Sequence, residues 1–510
     1  MSQRTLITNA NLLTLAEPAP PGVGQLLIEG GRIAAIGRDL GVTDAEIVDA
    51  GGGIVMPGMV DTHRHTWQSL LRARLADGTL YDYMALARYG YAPHFTASDA
   101  ELGNYAGALD ALNAGVTTVV DHSHLVATPD HADALLTGLE KTGIRAVYCY
   151  GLADVPDPGA PIDTERAYTS RWRHQDAERF RTERLPADDG LIRFGISGSE
   201  FLFAPLHYTV PEVELARRLD AHRFTVHVAN GPFTRGTRYV TRLLAKGLVD
   251  DRTLFVHGNT LTSDDLARIA SVGASISVAP ESEMQMGMGT SIWPSARHAG
   301  VAGGLGIDIV SGGSGDLFTQ MRLALAAGRM AANDKLGKRG IMPEKLHLTA
   351  DDAVRAVTID GARAAGLDRE VGTLEVGKCA DLILVRAAAT HLSPVLDPVK
   401  TVALQAGAGD VELVMVNGRI VKRDGQLVVA GSKELGTRLQ VAAERILTAA
   451  TDQSLDGAYS YVRAAFPLDR ASAVGTRVVG KALQIRGLDD KVFRMMLAQS
   501  AKAQRPAGVR

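Results

Sequence analysis

Between about residue 58 and residue 365, short apolar runs alternate with amphipathic stretches, and this alternation constrains the fold more than any other feature of the chain. The runs are GVTTVVDHSH, RAVYCYGL, IRFGISGSE, RFTVHVAN, TLFVHGN, ASISVAPE and GLGIDIVSGG. Segments such as DAELGNYAGALDALNAG and SDDLARIASVG separate them. Strands alternating with helices imply a parallel sheet, and about eight such units imply a closed (β/α)8 barrel. The run ahead of His63 supplies the first strand.

Both chain ends have a different character. Residues 1–57 read as short strands with turns, including a hairpin around Gly30 and Gly31, and strand character returns in GTLEVGKCADLILVR and VELVMVNGRIVKRDGQLVV. One small β-sandwich built from residues 1–57 and 366–430, with a barrel over 58–365 inserted between, accounts for both. Residues 431–510 read as a helical extension, more basic than acidic, expected to be a packing or oligomer-contact appendage rather than a nucleic-acid arm. The 510 residues are 46% hydrophobic and 22% charged, as in a soluble protein with a large core, and the formal charge of −3 argues against nucleic-acid or membrane-surface partners. Two cysteines, Cys149 and Cys379, suggest no disulfide framework and fit a reducing cytoplasm. No stretch reads as a signal peptide or a bilayer span, so a cytoplasmic location is expected.

The chemistry starts at His63 and His65, one residue apart at a strand end. Side chains at i and i+2 project together from a strand, so the two imidazoles can grip one metal ion from the same side. His227, His257 and Asp308 each follow a short apolar run and precede a loop, where barrel enzymes present their catalytic groups. Histidines and an aspartate in series at such positions read as a metal site.

On the PGMVDTHRH opening, the histidines of strands five and six, the aspartate of strand eight and the closing GTLEVGKCADLILV and VMVNGRIV, the chain resembles the amidohydrolase superfamily. The branch it looks most like holds the cytosine, guanine and S-adenosylhomocysteine deaminases and the triazine hydrolases. The resemblance implies a distorted (β/α)8 barrel with a β-sandwich, and a homo-oligomer acting on a small molecule. It also implies that His63, His65, His227 and Asp308 hold one divalent metal, with His257 beside the water or the substrate's electrophilic group. Binuclear relatives bridge two metals through a modified lysine at the end of strand four; IRFGISGSE has none, so one ion is expected, zinc first and iron or manganese as alternatives.

A zinc-type ion brings the pKa of water from about 15.7 to near 7, with Asp308 accepting a proton and His257 orienting or donating to the developing oxyanion. One position departs from the family. Many deaminases of the branch carry glutamate three residues after the strand-five histidine, whereas this chain has Asn230, which cannot transfer a proton as a carboxylic acid does. Glu281 is the first substitute by position, with Glu283 and Glu200 behind it. Trp67, Gln68, Asn230 and His122 are expected to contact substrate, with His122 and His124 alternatively supporting the ligands from a third strand. The tyrosine-rich DGTLYDYMALARYGYAPHF is a candidate cap, and Met284, Met286 and Met288 a candidate apolar wall. The expected function is metal-dependent hydrolysis of a C–N bond, deamination of an aminated heterocycle first. Amide, urea or carbamate hydrolysis, triazine-type dechlorination, a hydratase or lyase, and an inactive scaffold are the alternatives.

Overall fold

The structure is a computed structural model that describes residues 4–17, 22–200, 202–428, 432–466, 468, 470–485 and 487–503. Five strands precede the barrel: β1 (Arg4–Leu12), β2 (Val23–Glu29), β3 (Arg32–Gly37), β4 (Glu46–Asp49) and β5 (Ile54–Pro57). Eight form it: β6 (Met59–Arg64), β7 (Val116–Ser123), β8 (Arg145–Gly151), β9 (Ile192–Ser197), β10 (Phe224–Val228), β11 (Thr253–His257), β12 (Ser275–Val278) and β13 (Ala302–Leu305). Four follow: β14 (Leu382–Val385), β15 (Val411–Val416), β16 (Arg419–Arg423) and β17 (Gln426–Leu427).

The barrel strands pair in chain order from β6 to β13, all in parallel. Every residue of β7, β8 and β9 is buried, because such strands are covered on both faces. Several outer helices begin with Thr-x-x-Asp capping boxes, at Thr96–Asp99, Thr262–Asp265 and Thr349–Asp352, which satisfy otherwise orphaned N–H groups. Closure occurs where the last strand meets the first. Asp308 N donates to the His63 carbonyl and His65 N to the Asp308 carbonyl, each at 2.8 Å. Gly306 permits this approach, since a Cβ there would lie 2.8–2.9 Å from His63 backbone and Cβ atoms.

The strands from both chain ends make one nine-stranded sheet, ordered β17-β16-β15-β14-β5-β1-β2-β3, with β4 also pairing β1. It branches at β1, which pairs in parallel with β4 through Thr5–Thr8 and with β5 through Asn11 and Leu12. The branching lets the sheet fold over its own core of Ile7, Leu26, Ile28, Val55, Leu382 and Met415. Arg145 on β8 ties this unit to the barrel by a bidentate bond to Asp381, at 2.9 and 3.0 Å, with both side chains buried.

The extension is helical over Ser432–Ala449, Asp452–Ala465, Arg470–Ala482 and Asp489–Ala503. It packs along the loops at the barrel mouth. Tyr459 bonds Asp82 at 3.0 Å, the Tyr461 ring meets Tyr89, Phe466 packs on Phe233, Gln484 bonds the Gly236 carbonyl, and Phe493 packs on Tyr168.

Candidate metal centre

Four imidazoles from three strand ends converge on Asp308. His63 Nε2 lies 3.2 Å and His65 Nε2 3.4 Å from Asp308 Oδ1, and His227 Nε2 is 3.1 Å from His63 Nε2. His257 closes the group, with potential ligand atoms of His63, His227, His257 and Asp308 all within 4.8 Å of one another. These side chains are buried. Positive φ angles at His257 (71°) and Asp308 (66°) aim both residues inward, a backbone strain typical of functional sites.

The far sides of the rings fix their orientation. His65 Nδ1 donates to the His122 carbonyl at 2.8 Å, which leaves Nε2 a lone pair toward Asp308. His227 Nδ1 bonds the Glu200 carboxylate, and His257 Nδ1 lies 3.4 Å from Glu283 Oε1. Glu283 is held in turn by Ala279 N at 2.8 Å and Asn259 Nδ2 at 3.1 Å, and Ser282 Oγ donates to Asp308 Oδ2 at 2.6 Å. Carboxylate or carbonyl behind imidazole, with unprotonated nitrogen in front, is the arrangement that outer groups impose on metal ligands. Lone pairs of His65 and His227 meeting an aspartate oxygen in a buried space leave an excess of acceptors, which a divalent cation satisfies. The residues present fit one.

Electrostatics agree. Burial lowers His63 to about 4 and His122 to about 3, and holds His65 well below its ordinary value, so these rings are neutral at pH 7. Burial would raise Asp308, but the hydrogen bond to His63 and the nearby His257 outweigh it and keep the carboxyl ionised. Burial also opposes the shift of Glu200, which the charge of His227 and the bond to His122 draw well below the carboxylate range. His257 moves the other way. Burial lowers it, yet the bond to Glu283 and the charges of Asp308 and Glu283 raise it above its ordinary value.

The cavity in front of these groups is lined by Leu80, Tyr83, Met84, Arg88, Glu200, Asn230, Met286 and Met288 as well as His65, His124, His227, His257, Asp308 and Ile309. Its free space is about 30 Å³, room for about two waters. Admitting a heterocycle therefore requires movement of the segment over Leu80–Tyr91 or of the turn carrying Met286 and Met288.

Several sequence expectations about the pocket need correction. Glu281 does not line the cavity. Its Oε2 accepts from Ser314 N at 3.0 Å, Ser314 Oγ at 2.7 Å and Gln320 Nε2 at 2.7 Å. Glu281 and Glu283 share the helix Pro280–Gln285, and two helical positions rotate a side chain by about 200°, so Glu283 backs His257 while Glu281 faces a loop. Trp67 is also outside the cavity, fully buried with Nε1 bonded to His124 Nδ1 at 3.1 Å. Gln68 sits behind the cap, donating to Tyr83 Oη at 2.9 Å and accepting from Ser311 Oγ at 2.8 Å. His122 lies on β7, the second barrel strand rather than the third, behind Glu200 and His65, with Nδ1 3.0 Å from Thr225 Oγ1. Asn230 does line the cavity, and its buried Oδ1 has no hydrogen-bond partner among the described residues.

Of the tyrosine-rich segment, Tyr83 faces the cavity, while Tyr81 and Tyr89 meet the C-terminal helices. Met286 and Met288 line the cavity, and Met284 does not. Arg88 was not anticipated. It sits in the π-helical stretch Tyr83–Tyr91 and donates to the His124 carbonyl at 2.9 Å. A single basic residue within an aromatic and apolar run was the available signal.

Comparison with known proteins matches these observations. A family model described as the amidohydrolase family matches residues 54–421. The chain is 30% identical over 439 residues to a 5-methylthioadenosine/S-adenosylhomocysteine deaminase of Symbiobacterium thermophilum, covering 83% of this chain and 94% of that one. It is 26% identical over 455 residues to a 5'-deoxyadenosine deaminase of Methanosarcina mazei, covering 87% and 98%. Among solved structures, an adenosine deaminase from Xanthomonas campestris with bound zinc superposes with a TM-score of 0.73 at 24% identity, covering 87% and 98%. Atrazine chlorohydrolase TrzN from Arthrobacter aurescens complexed with zinc gives 0.73 at 22% identity, covering 86% and 100%.

Proposed function

Since this chain belongs to the amidohydrolase family and is a hydrolase of carbon–nitrogen bonds, we propose that it removes an amino group from a small heterocycle as ammonia, with one divalent cation at His63, His65, His227 and Asp308. The carrying observation is the convergence of His63, His65 and His227 on Asp308, with His257 backed by Glu283 beside them. The deaminase names of the relatives direct the reading to an amino leaving group, and the zinc in the Xanthomonas structure favours zinc over iron or manganese. Such a cation supplies Lewis acidity and brings the pKa of water near 7.

The chain's own residues handle the protons. Replacing an amino group by oxygen consumes one water, and a proton of that water leaves on nitrogen as ammonia. Asp308, ionised and anchored by Ser282, stands where that proton is first accepted. His257, with its raised pKa and its Nδ1 toward Glu283, is the group suited to return a proton to the leaving nitrogen. Asn230 Oδ1, without a partner among the described residues, can accept a hydrogen bond from a ring N–H or amino group. Glu200, rather than Glu281, joins Asp308 as a carboxylate of the cavity wall, and its bond to His227 orients that ring.

A cytoplasmic setting fits the two buried free thiols, Cys149 and Cys379. A homo-oligomer fits the exposed Val474 and Val478 on the helix Arg470–Ala482 and the exposed Ile485 just beyond it. Among the described residues no helix is long and apolar enough to cross a membrane. The reading is tested by mass spectrometry of product formed in ¹⁸O-labelled water. One labelled oxygen replacing one amino group supports it, and product that retains its amino nitrogen refutes it.

A further inference from the structure

Arg88 lines the same cavity as the metal centre and is 8% exposed. One of its nitrogens donates to the His124 carbonyl, and among the described residues no carboxylate lies within 4.0 Å of its guanidinium. The carboxylates that share the cavity are engaged elsewhere, Glu200 with His227 and His122, Asp308 with His63, His65 and Ser282. A guanidinium removed from bulk water without an anionic partner is costly, and such groups are found paired. Its five donors in a planar fork match a carboxylate.

The backbone carrying Arg88 supports a ligand role. The stretch Tyr83–Tyr91 is π-helical, a rare conformation that frequently marks functional sites. The segment is buttressed from outside, where Tyr459 bonds Asp82 and the Tyr461 ring packs on Tyr89. On its inner face Tyr83 Oη lies 3.1 Å from His124 Nε2, so the segment and its arginine are both registered on His124.

We propose that the substrate carries a carboxylate, which pairs with Arg88 in the cavity that the metal centre also lines. The ligand class is a small amino-heterocycle acid. The placement of the amino group at the metal rests on the deaminase reading, whereas the pairing with Arg88 does not.

Equilibrium binding to the zinc-loaded protein tests the pairing with two matched pairs, pterin-6-carboxylate against 6-hydroxymethylpterin and cytosine-5-carboxylate against its 5-carboxamide. A hydrogen-bonded charge contributes on the order of ten- to a hundredfold in affinity. The acid of at least one pair is therefore expected to bind at least about tenfold more tightly than its uncharged partner. Arg88→Met should abolish that preference and Arg88→Lys retain part of it. Arg88→Gln, which keeps a donor to the His124 carbonyl, serves if the methionine variant does not fold. Equal binding of acid and neutral partner in both pairs, or a preference that survives in a folded Arg88→Met or Arg88→Gln protein, overturns the proposal. Ammonia release is scored separately. Acids that bind preferentially without losing ammonia would refute deamination alone, and ammonia from neutral compounds without any preference for acids would refute the role of Arg88 alone.

Discussion

The Glu200 carboxylate bonds His227 Nδ1, and the same ring presents Nε2 to His63 Nε2 at 3.1 Å. Glu200 reaches this position three residues beyond β9 with φ 64°, a conformation disfavoured for a residue with a side chain. The bond fixes which nitrogen of His227 is free to ligate. Glu200→Gln should keep the fold and lower metal affinity by roughly 10- to 100-fold. Competition with a chromophoric chelator reads this directly.

The buried imidazoles set a pH dependence for the metal-free protein. His63 is lowered to about 4 from an ordinary 6.5, so the unfolded chain binds a proton there before the folded one does. Stability therefore rises with pH between about 4 and 6.5, and is lost as pH falls through that window. His65 and His122, lowered by the same burial, act in the same direction. His257 opposes them, since a raised pKa contributes stability below 6.5 that is lost as pH rises through its folded value. His124, His174 and His222, also lowered by burial, join the first set, while the buried carboxyls of Asp61, Asp121 and Glu212, raised to about 6, 6 and 7, join His257, so six lowered imidazoles stand against four raised groups. Urea unfolding after chelation should give a midpoint that falls on acidification from pH 6.5 to 4, and a flat profile would contradict the burial argument.

Arg145 and Asp381 join barrel to sandwich with both side chains buried, and Asp381 Oδ1 also accepts from Asn417 N at 2.8 Å. Arg145→Met leaves Asp381 buried without its countercharge. The expected loss is about 3–5 kcal/mol, measured by denaturant unfolding, with the metal content of the folded protein unchanged because the pair lies away from the ligands.

Tyr459 donates to Asp82 at 3.0 Å and is not among the residues that line the cavity. Tyr459→Phe removes one brace from the segment that carries Tyr83 and Arg88, a loss of about 1 kcal/mol. The change should appear in KM more than in kcat, together with faster proteolysis within residues 80–91.

The grouping of His63, His65, His227, His257 and Asp308 was legible in the sequence because barrel strands end in a fixed place, so a histidine after FTV or TLFV and an aspartate after GLGI carry their address with them. The sandwich was legible from hairpin signals at both ends, although its branching at β1 depends on Thr5–Thr8 and Asn11–Leu12 choosing different partners, which no local pattern encodes. The cavity wall was less legible. Glu281 and Glu283 differ only in which way a short helix rotates them, and that rotation follows from Ser314 and Gln320, far along the chain. Trp67 looked like a pocket residue because it follows His65, yet a 3-10 turn over Thr66–Leu71 carries it under His124. Arg88 depends on a π-helical register that shifts each side chain from its α-helical direction.

The measurement that tests the central claim most directly is ammonia release by zinc-loaded protein over aminopyrimidines, purines, pterins and triazines, run in parallel with His65→Ala. The account predicts release from at least one compound by the native protein, with both bound metal and release lost in the variant. Silence over the whole panel from protein holding one metal per chain, or release undiminished in His65→Ala, would contradict it.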